Sequence, residues 1–371
     1  MEGHTTAEQE NRKLWDVFLT HHSNIFNNHV VPKLNGNDVK FFYDVNSESR
    51  RAIQKSSNAR LPDAFEIGDF ETTSTISWAL EKCSEEKERF CWRMAQNGNL
   101  ELLQFLHENG CPWNESTCSG AAHYGHVGCL KYAHENGCSW NSFTCLCAAR
   151  NGHLECLKYA RDNGCPWDEW YRQNICSEAA EKGHLECLKY AHENGCPWDE
   201  RTCLCAAGNG HLECLTYAHE HGCPWNENTC YFAAGNGHIE CLTYAHENGC
   251  PWDKGTCACA AYNGHLECLK YLHEKGYPWD KETCRQAAYN GHLECLKYLH
   301  ENGCPWHEYT CEYAAKNGHL ECLQYAHENG CPWNERTCSE AARNDHFECL
   351  KYAHENGCPG SANYAHHLPP A

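Results

Sequence analysis

The sequence has no uninterrupted apolar run of about 18 residues, so no helix of it is expected to cross a bilayer. Its first residues, MEGHTTAEQENRKLW, lack the apolar segment of a secretory signal, which places the expected location in the cytosol or nucleus. Basic residues are scarce: 30 Lys and Arg stand against 50 Asp and Glu, for a formal charge of −20. Nucleic-acid backbones and anionic membranes need clustered Lys and Arg, so neither is an expected partner. No phosphate-binding Walker loop, dinucleotide fingerprint or nucleophile elbow occurs. No catalytic residue, cofactor or enzymatic activity is therefore expected.

What is abundant is cysteine, with 32 in 371 residues. In a short secreted chain this would signal a disulfide scaffold; in a long chain without a signal, reduced thiols are expected. Self-comparison shows where they recur. The glycine of a Gly-Cys-Pro-Trp run falls at Gly110, Gly137, Gly164, Gly195, Gly222, Gly249, Gly276, Gly303, Gly330 and Gly357, at intervals of 27 residues except for 31 between Gly164 and Gly195. One unit, Asp199 to Trp225, reads DERTCLCAAGNGHLECLTYAHEHGCPW.

Each unit patterns as two short helices. Asn or Asp follows the Trp in most units (Asn114, Asn141, Asp168, Asp199, Asn226, Asp253, Asp280, Asn334, with His307 as the exception) and is the expected N-cap. Trp198 is placed to staple against Cys203. The first helix is expected to stop at Asn209-Gly210 and the second to run from about Leu212 to Glu220, ending at Gly222 before Pro224. Helices this short are unstable alone and must stack on their neighbours.

Thr202-Cys203-x-x-Ala206-Ala207, then Asn209-Gly210-His211-Leu212-Glu213, then Gly222, resembles the ankyrin repeat, and the likeness recurs in register over residues 90–358. The family's Thr-Pro-Leu-His is replaced by Thr-Cys-x-x, and the unit is six residues shorter than the family's 33. The missing residues fall where the family's β-hairpin finger would sit. The expected fold is therefore all-α: an α-solenoid of about ten stacked helix-turn-helix units with little or no strand. The resemblance implies a non-catalytic, monomeric scaffold that binds a protein partner through the concave surface lined by the first helices.

All cysteines but Cys83, Cys147, Cys205 and Cys259 fall in three columns, exemplified by Cys203, Cys214 and Cys223. Packing as small hydrophobes is the expected role. Column neighbours on stacked helices should lie too far apart to form disulfides with one another. The competing readings are zinc held by Cys203, Cys205, His211 and Cys214, or haem thiolate ligation by the Cys-Pro pairs; neither is adopted, and no metal site is expected. Two histidine columns, His211 and His219 with their equivalents, are read as partly buried rings at the turn and at the rim of the packing face. Charging the second column near pH 5–6 should loosen the stack.

Positions that vary between units are free for binding. On a helical wheel of the first helix, constant Thr202, Cys203, Ala206 and Ala207 occupy one arc, and variable Arg201, Leu204, Cys205 and Gly208 the other. Across the units the variable arc carries Phe143, Arg150, Arg201, Tyr231, Phe232, Tyr262, Arg285, Tyr289, Tyr309, Tyr313 and Arg343, rich in the residue types that dominate interface hot spots. These are the expected protein-binding residues. Glu213, with Lys189 and Lys270 in other units, is expected on a solvated convex face.

Residues 1–89 lack the repeat. Residues 1–13 are expected to be a disordered tail, 14–60 a helical N-terminal region, 61–89 a linker with one helix, and 359–371 a C-terminal tail. Val31, Leu34, Asp38, Val39, Val45, Asn46 and Arg50 are spaced like the F-box, without its Leu-Pro entry and late Trp. That resemblance implies docking of a Skp-type adaptor through residues 30–51, and a role as substrate-recognition subunit of a ubiquitin ligase. The alternative is a helical cap on the first repeat.

Overall fold

The computed structural model describes residues 88–166, 175–253 and 255–367. The F-box-like residues, the N-terminal tail and Asp168 lie outside them. Among the described residues every regular element is a helix and no strand occurs, in line with the loss of the finger.

The chain divides into two compact units. The first holds residues 88–148 and 155–166. Its helices are α1 (Glu88–Gln96), α2 (Leu100–Glu108), α3 (Glu115–His123), α4 (Val127–Glu135), α5 (Ser142–Arg150) and α6 (Leu154–Asp162), with the α5–α6 turn, Ala149–Leu154, assigned to the second unit. The second also holds α7 (Ile175–Glu181), α8 (Leu185–Glu193), α9 (Glu200–Gly208), α10 (Leu212–Glu220), α11 (Glu227–Gly235), α12 (Ile239–Glu247) and α13 (Gly255–Tyr262). It continues with α14 (Leu266–Glu274), α15 (Lys281–Tyr289), α16 (Leu293–Glu301), α17 (Thr310–Lys316), α18 (Leu320–Glu328), α19 (Glu335–Arg343) and α20 (Phe347–Glu355). A 3₁₀ helix follows at Ser361–His367. It packs on α19 and α20, so most of the expected C-terminal tail instead covers the end of the last hairpin, as a terminal repeat requires.

The helix ends follow from side-chain chemistry. Asp199, in extended backbone, accepts a hydrogen bond from the Arg201 N–H, and Asn226, Asp280 and Asn334 repeat the contact. His307, the exception in sequence, caps with its ring: Nδ1 accepts from the Tyr309 N–H at 3.1 Å. Gly210 ends α9 with φ +78°, and its space is also needed, because a Cβ there would lie 2.6 Å from Nδ1 of His238 in the next repeat. The same ring covers the equivalent glycine in other repeats, such as Gly237 under His265 and Gly264 under His292. The His211 column thus fixes the turn by packing on the neighbouring repeat. Asp345 takes the glycine's place in the last repeat, at φ 60°.

The core is thin and uniform. From α9 it takes Thr202, Cys203, Ala206 and Ala207, all fully buried, and from α10 Cys214, Leu215 and Ala218. Small Cys and Ala side chains let first helices pack closely on first helices. Each buried Leu contributes roughly 1.5–3 kcal/mol of apolar burial. No hairpin carries more than a few such residues, which is why each depends on its neighbours.

Candidate protein-interaction surface

The buried arc of each first helix leaves the opposite arc outward, and the geometry of that arc follows from the N-cap. Because the Asn or Asp at the cap sets where the first turn begins, the variable positions of successive first helices come into register. In the second unit this register assembles an aromatic run. The rings of Tyr262 on α13 and Tyr289 on α15 are near-parallel with centroids 6.1 Å apart. Tyr289 meets Tyr313 of α17 at 5.5 Å, and Tyr309 lies edge-on to Tyr313 at 6.4 Å. The Arg285 guanidinium sits 4.9 Å from the Tyr313 ring centre and is fixed by Glu282 one turn earlier. A cation over a tyrosine face, held by a carboxylate, is already oriented for contact.

Ionic groups border this run. Glu340 receives Arg343 at 2.9 Å and lies 3.9 Å from Lys316 Nζ. Burial raises the Glu312 carboxyl above its ordinary value. Further along, Tyr231 and Phe232 of α11 meet edge-on at 5.4 Å, and Phe232 is 40% exposed. In the first unit, Phe143 opens onto a cleft of about 340 Å³ shared with Glu88, Arg89 and Trp92 of α1 and with Asn114, Ser116 and Ser119.

Sequence-family models corroborate the repeat. One described as ankyrin repeats (many copies) matches residues 176–219 and 257–300, and one described as ankyrin repeats (3 copies) matches 284–364. These segments are ankyrin repeats. Among solved structures, the ankyrin repeat domain of human ASB11 is similar at 20% identity and a TM-score of 0.39, covering 43% of this chain and 84% of that one. No curated protein matches.

These ankyrin repeats gather some expected binding residues and separate others. Tyr262, Arg285, Tyr289, Tyr309 and Tyr313 form one cluster, and Tyr231 with Phe232 a second. Arg201 and Arg343 are exposed. Phe143 belongs to the other unit, and Arg150 is engaged with the Glu178 carboxylate at 3.3 Å. The variable arc is not uniformly open. Gly208 is buried, because Phe232 of the next repeat covers it, and Cys259 approaches Gly235 in the same way. Sequence reasoning missed Trp92 and Arg89 in the cleft, and exposed Tyr124, which replaces the Asn that usually precedes the turn glycine.

The second helices carry the predicted solvated pairs, Glu186–Lys189 at 2.9 Å and Glu267–Lys270 at 2.8 Å, both exposed and contributing little. Between them and the loops lies an unforeseen ladder. His219 stacks on Trp225 at 3.8 Å and 11°, and its Nδ1 is 3.1 Å from the hydroxyl of Tyr244 in the next repeat. His107, His192, His273 and His327 repeat the arrangement. Trp198 accordingly pairs with His192, at 3.6 Å. Burial lowers the pKa of His192 and His246.

The three cysteine columns are buried, 0–5% exposed, while Cys205 and Cys259 are half-buried. Burial pushes the Cys214 thiol up to about 12, so it stays protonated. Among the described residues no three His, Cys, Asp or Glu side chains are grouped to hold a metal ion.

Proposed function

We propose that this ankyrin-repeat chain is a non-catalytic scaffold that binds a protein partner through the variable face of its first helices. The observation that carries this reading is the Tyr262–Tyr289–Tyr313 run with Arg285 laid over Tyr313. Aromatic and Arg side chains in contact, half in water and braced by their own neighbours, bury much area at small entropic loss. Nothing in the packing of the hairpins requires tyrosine at these positions, since Gly208 and Lys316 stand in other repeats where Tyr262 and Tyr289 do, and Cys205 and Gln286 where Tyr313 does. The test is affinity capture with the full chain against a Tyr289→Ala/Tyr313→Ala variant. Loss of a bound protein in the variant supports the reading, and equal retention contradicts it.

A second reading rests on the spacing of Val31, Leu34, Asp38, Val39, Val45, Asn46 and Arg50. In it the repeats select a substrate, and residues 30–51 dock a Skp-type adaptor of a ubiquitin ligase. Co-purification of such an adaptor with the full chain, abolished by Leu34→Ala/Val39→Ala, supports it. An adaptor that never co-purifies opposes it.

A further inference from the structure

Two of the cysteine columns meet inside each repeat. Cys203 lies on the first helix of its hairpin, and Cys223, twenty residues later, follows the second. Cys203 Sγ donates to the Cys223 carbonyl oxygen at 3.9 Å and Cys223 Sγ donates to the Asp199 carbonyl at 3.2 Å, so the two buried thiols are neighbours. Cys91 with Cys111, Cys118 with Cys138, Cys176 with Cys196, Cys284 with Cys304 and Cys311 with Cys331 repeat the Sγ–carbonyl contact at 3.9–4.0 Å, and Cys230 with Cys250 and Cys338 with Cys358 keep the twenty-residue spacing. Packing alone needs small apolar side chains, which Ala206 and Ala207 already provide next to Cys203; it does not need a second cysteine beside the first in repeat after repeat.

We propose that each of these pairs is a dithiol poised to close into an intrarepeat disulfide, tying the first helix of a hairpin to the end of its second. The site favours this product over a metal thiolate. Both sulfurs are buried, Cys203 fully and Cys223 at 3% exposure, so a neutral cystine is tolerated where two thiolates would carry uncompensated charge. Closure costs little hydrogen bonding: the Cys223 carbonyl loses only the long 3.9 Å contact from Cys203. Cys223 donates to the Asp199 carbonyl at 3.2 Å, but that carbonyl also accepts the Thr202 N–H at 3.0 Å and keeps it after the thiol proton is gone.

The two thiols are unequal. Cys203 is fully buried while Cys223 keeps 3% exposure at the end of the hairpin, so Cys223 is the attacking sulfur and Cys203 the resolving one. The oxidant is a small disulfide. Cys223 loses its proton to water and attacks one sulfur of that disulfide, which expels the first small thiolate and leaves a mixed disulfide on the protein. Cys203 then loses its proton and attacks the Cys223 sulfur, expelling the second. The protein gives up two protons and two electrons, and the small disulfide ends as two thiols. The resulting loop encloses both helices and their turn, so an oxidised hairpin cannot unravel on its own.

The test equilibrates the full chain with reduced and oxidised glutathione in sub-denaturing urea, where hairpins open and reclose while circular dichroism stays helical. Acid quenching, alkylation of remaining thiols, digestion and mass spectrometry then locate the bonds. The expected result is Cys203–Cys223, Cys230–Cys250, Cys284–Cys304 and Cys311–Cys331 linked, with Cys214 alkylated. Cys257 is an internal control, because the residue twenty places on is Tyr277; it should be alkylated too. Cys223→Ser should return Cys203 alone to the alkylated pool, and oxidation should raise the Tm of the parent chain. The proposal is overturned if both members of these pairs are alkylated, if cross-links ignore the twenty-residue spacing, or if the thiols retain a metal ion in place of the bond.

Discussion

Gly210 is under two separate demands, a left-handed φ and contact with the His238 ring, and substitutions can weigh them. Gly210→Ala meets both and is expected to cost roughly 2–3 kcal/mol. Gly222→Ala, with φ +82° and open space where its Cβ would go, should cost only about 1 kcal/mol. Adding His238→Ala to Gly210→Ala should recover the steric part. Urea denaturation of the four chains checks this, and equal costs at the two glycines would contradict it. Asp345 already points the same way: in the last repeat only the φ demand remains, and a small polar residue meets it. In the core, Leu215 is fully buried, and Leu215→Ala should cost about 2–5 kcal/mol in the same assay. A loss below ~1 kcal/mol would mean that the hairpins do not rely on this layer.

At the scale of elements, the His–Trp–Tyr ladder joins neighbouring hairpins at His107, His192, His219, His273 and His327. The folded chain holds His192 and His246 below the ordinary imidazole value of 6.5, chiefly by burial; His184, His265 and His319 at the turns are lowered for the same reason. The unfolded chain therefore binds more protons near that value. This stability is fully present above 6.5 and is lost as pH falls through the lowered folded values. The Tm should be lower at about pH 5.5 than at about pH 7.5, and His192→Gln should shrink the difference. An unchanged Tm would remove the ladder from the account. Much of the hairpin was legible in sequence, because caps, glycines and short-range apolar spacing act within one helix. Asp199, Asn209, Gly210 and Glu220 stand at the helix ends where the residues alone put them. The ladder was not legible: Trp225 lies outside both helices, and Tyr244 comes from the next repeat. The wheel likewise sorted buried Thr202 and Ala206 from exposed Arg201, but it could not foresee that Phe232 of a neighbouring helix would cover Gly208. Pairing of Cys203 with Cys223 escaped for the same reason, since both helices and their turn separate them; the constant twenty-residue spacing was the available signal.

At the scale of the whole molecule, an ankyrin-repeat chain separates what holds it together from what it presents. Constant positions occupy the buried arc and tie repeat to repeat, which frees Tyr289, Tyr313 and Arg285 to differ from their equivalents. The paired test of this division is quantitative affinity capture by the intact chain, its Tyr289→Ala/Tyr313→Ala variant, and a Glu267→Ala/Lys270→Ala variant on the second helix. All three should show the same helical circular dichroism and a similar Tm. A protein retained by the parent and the Glu267/Lys270 variant, but lost by more than about tenfold from the tyrosine variant, is the predicted result. Equal retention by all three, or loss only on changing Glu267 and Lys270, would contradict the claim that the first-helix face is where the partner binds.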